Sequence, residues 1–173
     1  MNGIETDRLR IREYTTEDLP SLHTLLSDRE TMSFWPKPFD DQQCENWMIH
    51  RAIENYPTGF GRFAIELKET GTFIGDAGLL SLEIDGVLEN DLGYIIHSRY
   101  WGRGFGYEAA EAVMKYGFEQ LNLQRICANM PASHTASRKV AEKLGMKLEK
   151  QFSNSKNRGI LTCLFVKEKV ERI

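Results

Sequence analysis

No apolar run in this chain approaches the ~20 residues that cross a bilayer, and no leader-like segment stands at its start. The expectation is a cytoplasmic protein with no membrane partner. Cysteine is scarce: Cys44, Cys127 and Cys163 are odd in number and far apart, with neither CxxC nor zinc spacing. Cys127 and Cys163 lie in apolar, strand-like runs, which predicts buried free thiols in a reducing compartment. The four histidines, His23, His50, His97 and His134, have no ligand spacing, so no metal is expected. Charge of one sign is missing too. The net charge is −3 and the basic residues are scattered, which argues against a nucleic-acid partner. Repeats, linkers and low-complexity segments are absent. What is present is 173 residues with 41% hydrophobic side chains, enough for one globular domain over 1–173.

The most informative stretch is 90–121. An apolar run at 92–97 suits a buried strand, and Gly102, Gly104 and Gly106 follow, alternating with Arg103 and Phe105. Ala110, Val113, Met114, Phe118 and Leu121 then recur at helical spacing. Strand, glycine turn and helix start together favour an anion. Free N–H groups and a partial positive charge sit at the helix start, and glycines let a ligand approach the backbone. With Arg99 and Arg103 alongside, the unit reads as a phosphate or pyrophosphate site. It lacks the Gly-Lys-Ser/Thr of a P-loop, and its G-x-G-x-G spacing is not the dinucleotide fingerprint.

The remaining elements follow from periodicity. Leu9 and Ile11 alternate with arginines in a half-buried strand, and Thr15 with Asp18 forms a capping-box-like helix start. Leu19, Leu22, Leu25 and Leu26 share a helical face. Two prolines break the chain around Phe34, Trp35 and Phe39. The next helix is expected from Asp40 or Asp41 to about Asn55, with Trp47, Ile49 and Ile53 inward. Strands at 63–67, 73–82 and 87–97 joined by short turns predict antiparallel pairing. A strand at 125–130 follows the central helix and should run parallel to 92–97 by a crossover. Ser133 opens another helix, carrying Ala136, Val140 and Leu144, which Gly145 ends. Two strands close the chain; their edges are weakly apolar and fit pairing into a homodimer.

The run GYIIHSRYWGRGFGYEA resembles the coenzyme A loop of the GNAT acetyltransferases, and looks most like their RimJ/RimL-like branch. The likeness covers nearly the whole chain. It implies a mixed α/β, GNAT-like fold: a mostly antiparallel sheet with one splayed parallel pair, flanked by about four helices. It also implies acetyl-CoA as co-substrate, with the pantetheine held in the splay. Coenzyme contacts carried over are Ile95, Ile96, His97, Trp101, Gly102, Arg103, Gly104, Phe105, Gly106, Tyr107, His134, Ser137, Arg138 and Lys139. Trp101 stands in the family's Gln/Arg position. His134 replaces an Asn that commonly holds the pantetheine arm, and Ala141 stands where many members have a thiolate-protonating Tyr. Phe34, Trp35 and Phe39 fall in the segment that lines the acceptor pocket.

The implied reaction moves an acetyl group to a primary amine, on a peptide or protein N-terminus or a small amine, within a ternary complex. It needs a general base, an oxyanion donor and a proton for the leaving thiolate. Asp91 is the first candidate base, with Asp76 second and as an acceptor contact; His97 is a third option. Backbone N–H groups at Ile95 to His97 are the expected oxyanion donors, and Ser137 the hydroxyl near the thiolate. Asp40, Asp41 and Glu45 either attract a cationic amine or are ordinary helix-start acids. The reading of another class is a coenzyme A-binding module without catalysis. A nucleotide enzyme would want a Walker lysine that is missing.

Overall fold

The computed structural model describes residues 3–170. Eight strands make one sheet: β1 (Ile4–Glu5), β2 (Leu9–Arg12), β3 (Gly61–Leu67), β4 (Phe73–Ile84), β5 (Val87–Ile96), β6 (Arg125–Pro131), β7 (Lys147–Asn154) and β8 (Ile160–Glu168). Their spatial order is β1-β2-β3-β4-β5-β6-β8-β7, and only β5 with β6 is parallel. The helices are α1 (Leu19–Ser27), α2 (Asp41–Asn46), α3 (Phe105–Glu119) and α4 (Thr135–Lys143). The class is the expected mixed α/β with a largely antiparallel sheet. Only the short β1 has no counterpart in the sequence reading.

Alternation along the strands sends side chains to two different layers. On one face Phe63, Ile65, Leu79, Leu92 and Ile96 bury against Phe105, Ala109, Ala110 and Val113 of α3. On the other, Ala64 and Ile95 meet Leu22, Leu25 and Leu26 of α1 together with Cys44, Trp47 and Met48. Both faces of β3 to β5 are therefore covered, which explains why β4 buries seven consecutive residues.

The helix that begins at α2 keeps going, but its hydrogen bonding changes. Asp40 caps it, accepting the Gln43 N–H at 2.8 Å. A π-type segment (Trp47–Ala52) and a 3-10 segment (Ile53–Thr58) follow. This re-aims the side chains: Trp47, Met48 and Ala52 go inward, whereas Ile49 and Ile53 remain 44% and 40% exposed, contrary to the expected inward face. At the C-terminal end, β8 lies inside the sheet between β6 and β7 and buries Cys163 to Val166. Of those two strands β7 alone is an edge. The three thiols are all buried and free.

Candidate active site

Parallel strands β5 and β6 share a single ladder pair, Asp91 with Cys127. Each is fully laddered on its other side, β5 to β4 and β6 to β8. Past the shared pair the facing edges part. A cavity of about 920 Å³ opens there, within the range that holds a large cofactor. Its walls come from β5, β6, α3, α4 and the loop carrying Phe34 and Trp35.

The expected backbone donors at Ile95 to His97 divide by the geometry of the ladder. The His97 N–H bonds the Ile74 carbonyl at 2.9 Å. Because donors alternate along a strand, Ile95 N–H also turns to β4 and Ile96 N–H turns to the gap. The Ile96 carbonyl takes the Trp101 indole N–H at 2.7 Å, so Trp101 is tied to the strand end while remaining 46% exposed. His97 does not line the cavity; its Nδ1 accepts the Arg99 N–H.

Gly102 (φ 74°) and Gly104 (φ 79°) adopt left-handed backbone, and an added Cβ at Gly102 would meet open space. Gly106 serves packing instead: its Cβ would come 2.8 Å from the Tyr94 ring. The first hydrogen bond of α3 runs from Glu108 N–H to the Gly104 carbonyl, leaving the N–H groups of Phe105, Gly106 and Tyr107 free of helix partners. The turn is braced from outside. Glu108 accepts from Thr6 Oγ1 at 2.6 Å, Arg8 N–H at 3.0 Å and Arg8 Nε at 2.7 Å, and Arg8 Nη1 donates to the Arg103 carbonyl at 2.9 Å. The Arg103 side chain is exposed over Tyr100 and stands outside the cavity lining.

At the start of α4, His134 Nδ1 accepts the Ser137 N–H at 3.4 Å and Nε2 lies 3.1 Å from Ser137 Oγ. A ring accepting at Nδ1 carries its proton on Nε2, so the imidazole donates to Ser137 and leaves the hydroxyl proton free. Burial lowers the His134 pKa, which keeps that neutral form. Tyr94 lines the same cavity, and burial raises the pKa of its phenol. His134 stacks on Phe34 with centroids 3.8 Å apart, joining the aromatic loop to α4. Arg138 turns away, giving Nη1 to the Ala132 carbonyl, and neither it nor Lys139 lines the cavity.

Asp91 opens onto the cavity with Asn129 Nδ2 donating to it at 2.8 Å. Burial, opposed by Asn129 and the Arg62 charge, raises its pKa to about 6. Asp76 is different: fully buried, it accepts from Tyr14 Oη at 2.7 Å, from Trp47 Nε1 at 3.1 Å and from Arg62 Nε. It does not line the cavity, so its carboxylate holds the floor together and leaves acceptor contact to other groups. Phe34 and Trp35 line the cavity; Phe39 instead packs edge-on against Trp35 and Trp47. Asp40 is spent on the α2 cap and Asp41 pairs with His23 at 2.7 Å.

The sequence reading passed over Tyr94, Asn129, Arg62 and the Arg8–Glu108 brace. Asn129 carried a weak signal, a lone amide in an apolar strand. Arg62 and Glu108 carry no local signal, because only the folded sheet and α3 bring Asp76 and Arg8 to them. No cluster of ligating side chains fit for a metal exists among the described residues.

Residues 8–147 match the model of the acetyltransferase (GNAT) domain. The protein YkkB of Bacillus subtilis is 32% identical over 146 residues, covering 84% of this chain and 85% of its own. The uncharacterized N-acetyltransferase p20 of Bacillus licheniformis is 31% identical over 170 residues, 95% of each. A GNAT-family acetyltransferase from Bacillus anthracis superposes with a TM-score of 0.80 at 24% identity, covering 96% of this chain and 98% of that one. RimL, a ribosomal L7/L12 α-N-protein acetyltransferase solved with coenzyme A, gives 0.80 at 15% identity over 96% and 98%. A spermidine N-acetyltransferase from Vibrio cholerae, solved with coenzyme A and spermine, gives 0.76 at 19% identity over 94% and 97%. With its fold, its divided strands and most of its length in agreement, this chain belongs to the GNAT acetyltransferase family and is an enzyme of the acyltransferase class.

Proposed function

We propose that the protein transfers the acetyl group of acetyl-CoA directly to a primary amine bound in the same cavity. One observation carries the reading: a gap between two parallel strands, with free helix N–H groups on one side and Asp91 on the other. An extended amide-bearing arm can pair with bare strand edges as another strand would. The N–H groups of Phe105, Gly106 and Tyr107 suit a pyrophosphate, with Gly102 and Gly104 leaving the approach open. The coenzyme supplies an activated acetyl thioester.

The residues divide the work by face. Asp91, with a pKa of about 6, is ionised at neutral pH and takes the proton of the incoming ammonium, directly or through water. The free amine adds to the thioester carbonyl, forming the C–N bond and an oxyanion; collapse then breaks the C–S bond as the nitrogen sheds its second proton. Ile96 N–H, facing the gap, stabilises the oxyanion. The hydroxyl proton of Ser137, set free by His134, goes to the departing sulfur; the proton shed by the nitrogen restores the Ser137 hydroxyl, and Asp91 releases its own to solvent. The His134–Ser137 contact supports an acid on this side even though position 141 is alanine. The amine enters past Phe34 and Trp35.

Thiol release from acetyl-CoA, followed with a thiol reagent across free-N-terminal peptides, amino acids, polyamines and aminoglycosides, tests the reading. Release with at least one class, absent in Asp91→Asn, is the expected result. Silence across the panel with tight coenzyme binding would leave a coenzyme A-binding module in its place.

A further inference from the structure

The cavity floor contains a cation with its donors unspent. Arg62 is 4% exposed, and its Nε is committed to Asp76. Trp47 lies against the guanidinium, 5.3 Å from ring centroid to Cζ, and the Tyr56 hydroxyl ties the Arg62 carbonyl at 2.9 Å. The group is therefore fixed from behind. Among the described residues, no acceptor meets Nη1 or Nη2, and the side chain lines the cavity. Arg138 Nε is the one shut-away side-chain atom without a partner among the described residues, so the Arg62 Nη atoms are open to the cavity and their four N–H bonds are available to an acceptor that arrives.

Its location relative to Asp91 defines what arrives. Arg62 pairs across the sheet with Gly78, and Gly78 with Gly93, so the three share a row. The guanidinium lies over Gly93, where an added Cβ would come 2.0 Å from Nη1. Asp91 is two residues back on the same face of β5, about 7 Å along the strand. An amine and an oxygen on neighbouring carbons, each adding a hydrogen bond of about 3 Å, span that distance. A linear diamine brings no acceptor for Arg62 and places a second cation against it.

Resting on the transferase reading above, we infer that Arg62 selects acceptors whose amine carries a carbonyl or carboxylate oxygen on the adjacent carbon. These are α-amino acyl compounds: a free amino acid or the first residue of a peptide. Asp91 faces the amine and the Nη1/Nη2 fork takes the oxygen. Gly93 is glycine because the fork occupies the space above it.

Phenylalanine, phenylalaninamide, phenethylamine and a diamine make a matched series for thiol release. The expected result is that phenylalanine or its amide has kcat/KM at least tenfold above phenethylamine, with the diamine weakest. Whichever of the acid and amide leads identifies carboxylate or peptide carbonyl as the source. In Arg62→Lys, which keeps a cation for Asp76, the preference should shrink to within about threefold, carried by KM. Gly93→Ala puts a methyl in the place of Nη1 and should do the same while Arg62 and Asp76 remain. Wild-type coenzyme A affinity in either variant certifies its fold. No preference in the wild type, or the same preference in both variants, overturns the inference. Should no compound release thiol, calorimetry of N-acetylphenylalaninamide against N-acetylphenethylamine on the coenzyme A-loaded protein reads the oxygen site alone. Tenfold tighter binding of the first keeps that site and removes the transferase reading; equal binding removes the site.

Discussion

Asp91 shows how one side chain is made into a base by its surroundings. In water a carboxylate with a pKa near 3.9 is too weak a base to take an ammonium proton efficiently. Burial between β5 and β6 raises Asp91 to about 6, while Asn129 and Arg62 limit the rise. The ionised form then appears as pH climbs through about 6, so kcat/KM should rise across pH 5–7 and flatten above. Asp91→Asn should lower turnover at least a hundredfold and erase that limb, with acetyl-CoA affinity little changed; pH–rate profiles beside calorimetry check it. Stability has the opposite sign. A carboxyl raised on folding favours the folded state while protonated, and that contribution is lost between pH 4 and 6. Removing the charge with Asn should therefore raise the Tm above pH 7 and not below pH 4. Asp91 was legible as a candidate because it opened the strand before the glycine turn. Its partner Asn129 was not, since the 38-residue separation is closed only by a parallel crossover. Asp76 misled the reading for the same reason: nothing local says that Tyr14, Trp47 and Arg62 converge on it.

At the scale of elements, the helix α3 was the most legible part of the chain. Its glycines, apolar spacing and preceding strand are all local signals, and the structure begins it at Phe105. What locality hid is how the helix start is held. Glu108 in its first turn meets Arg8, with Arg8 Nη2 to Glu108 Oε2 at 2.6 Å, and the pair reaches the Arg103 carbonyl in the glycine turn. Arg8 is half exposed, so the pair adds little to global stability. Its effect should appear in the turn. Glu108→Gln keeps the helix but loosens the brace, and coenzyme A should bind about three- to tenfold more weakly with the Tm nearly unchanged. Gly106→Val is harsher: its side chain would enter the Tyr94 ring, shift the helix start and abolish measurable coenzyme affinity by calorimetry. The stretch after α2 was the least legible. Helix periodicity assumes 3.6 residues per turn, and the π segment at Trp47–Ala52 breaks that count, turning Ile49 outward and Met48 inward.

For the whole molecule, the sheet is a fork. β1 to β5 form one arm; β6, β8 and β7 form the other. Beyond the single ladder pair, the arms are joined at the closed end by Asn90 Nδ2 to the Arg125 carbonyl at 2.9 Å and by Arg125 to buried Glu89 at 2.8 and 3.0 Å. Arg125 also reaches Glu149 on β7 at 2.8 Å, so one guanidinium spans from β5 to the far edge. The price of a gap wide enough for a coenzyme arm is this narrow junction. Arg125→Met strands the Glu89 carboxylate in the interior; discounted for the half-open site, the loss is on the order of 2 kcal/mol, or about 4–8 °C in Tm. Coenzyme bound in the gap would touch both arms and offset that loss. At one hundred times Kd it adds about 2.7 kcal/mol to the folded state. Scanning calorimetry of Arg125→Met with and without coenzyme A should show a lower Tm that climbs by about 5–10 °C on saturation. A variant that melts normally would mean that the closed end is held by packing rather than by this ion pair. A Tm deaf to saturating coenzyme A would mean that the folded protein does not bind it, and would remove the basis for assigning Asp91 and Ser137 to opposite sides of a coenzyme-filled gap.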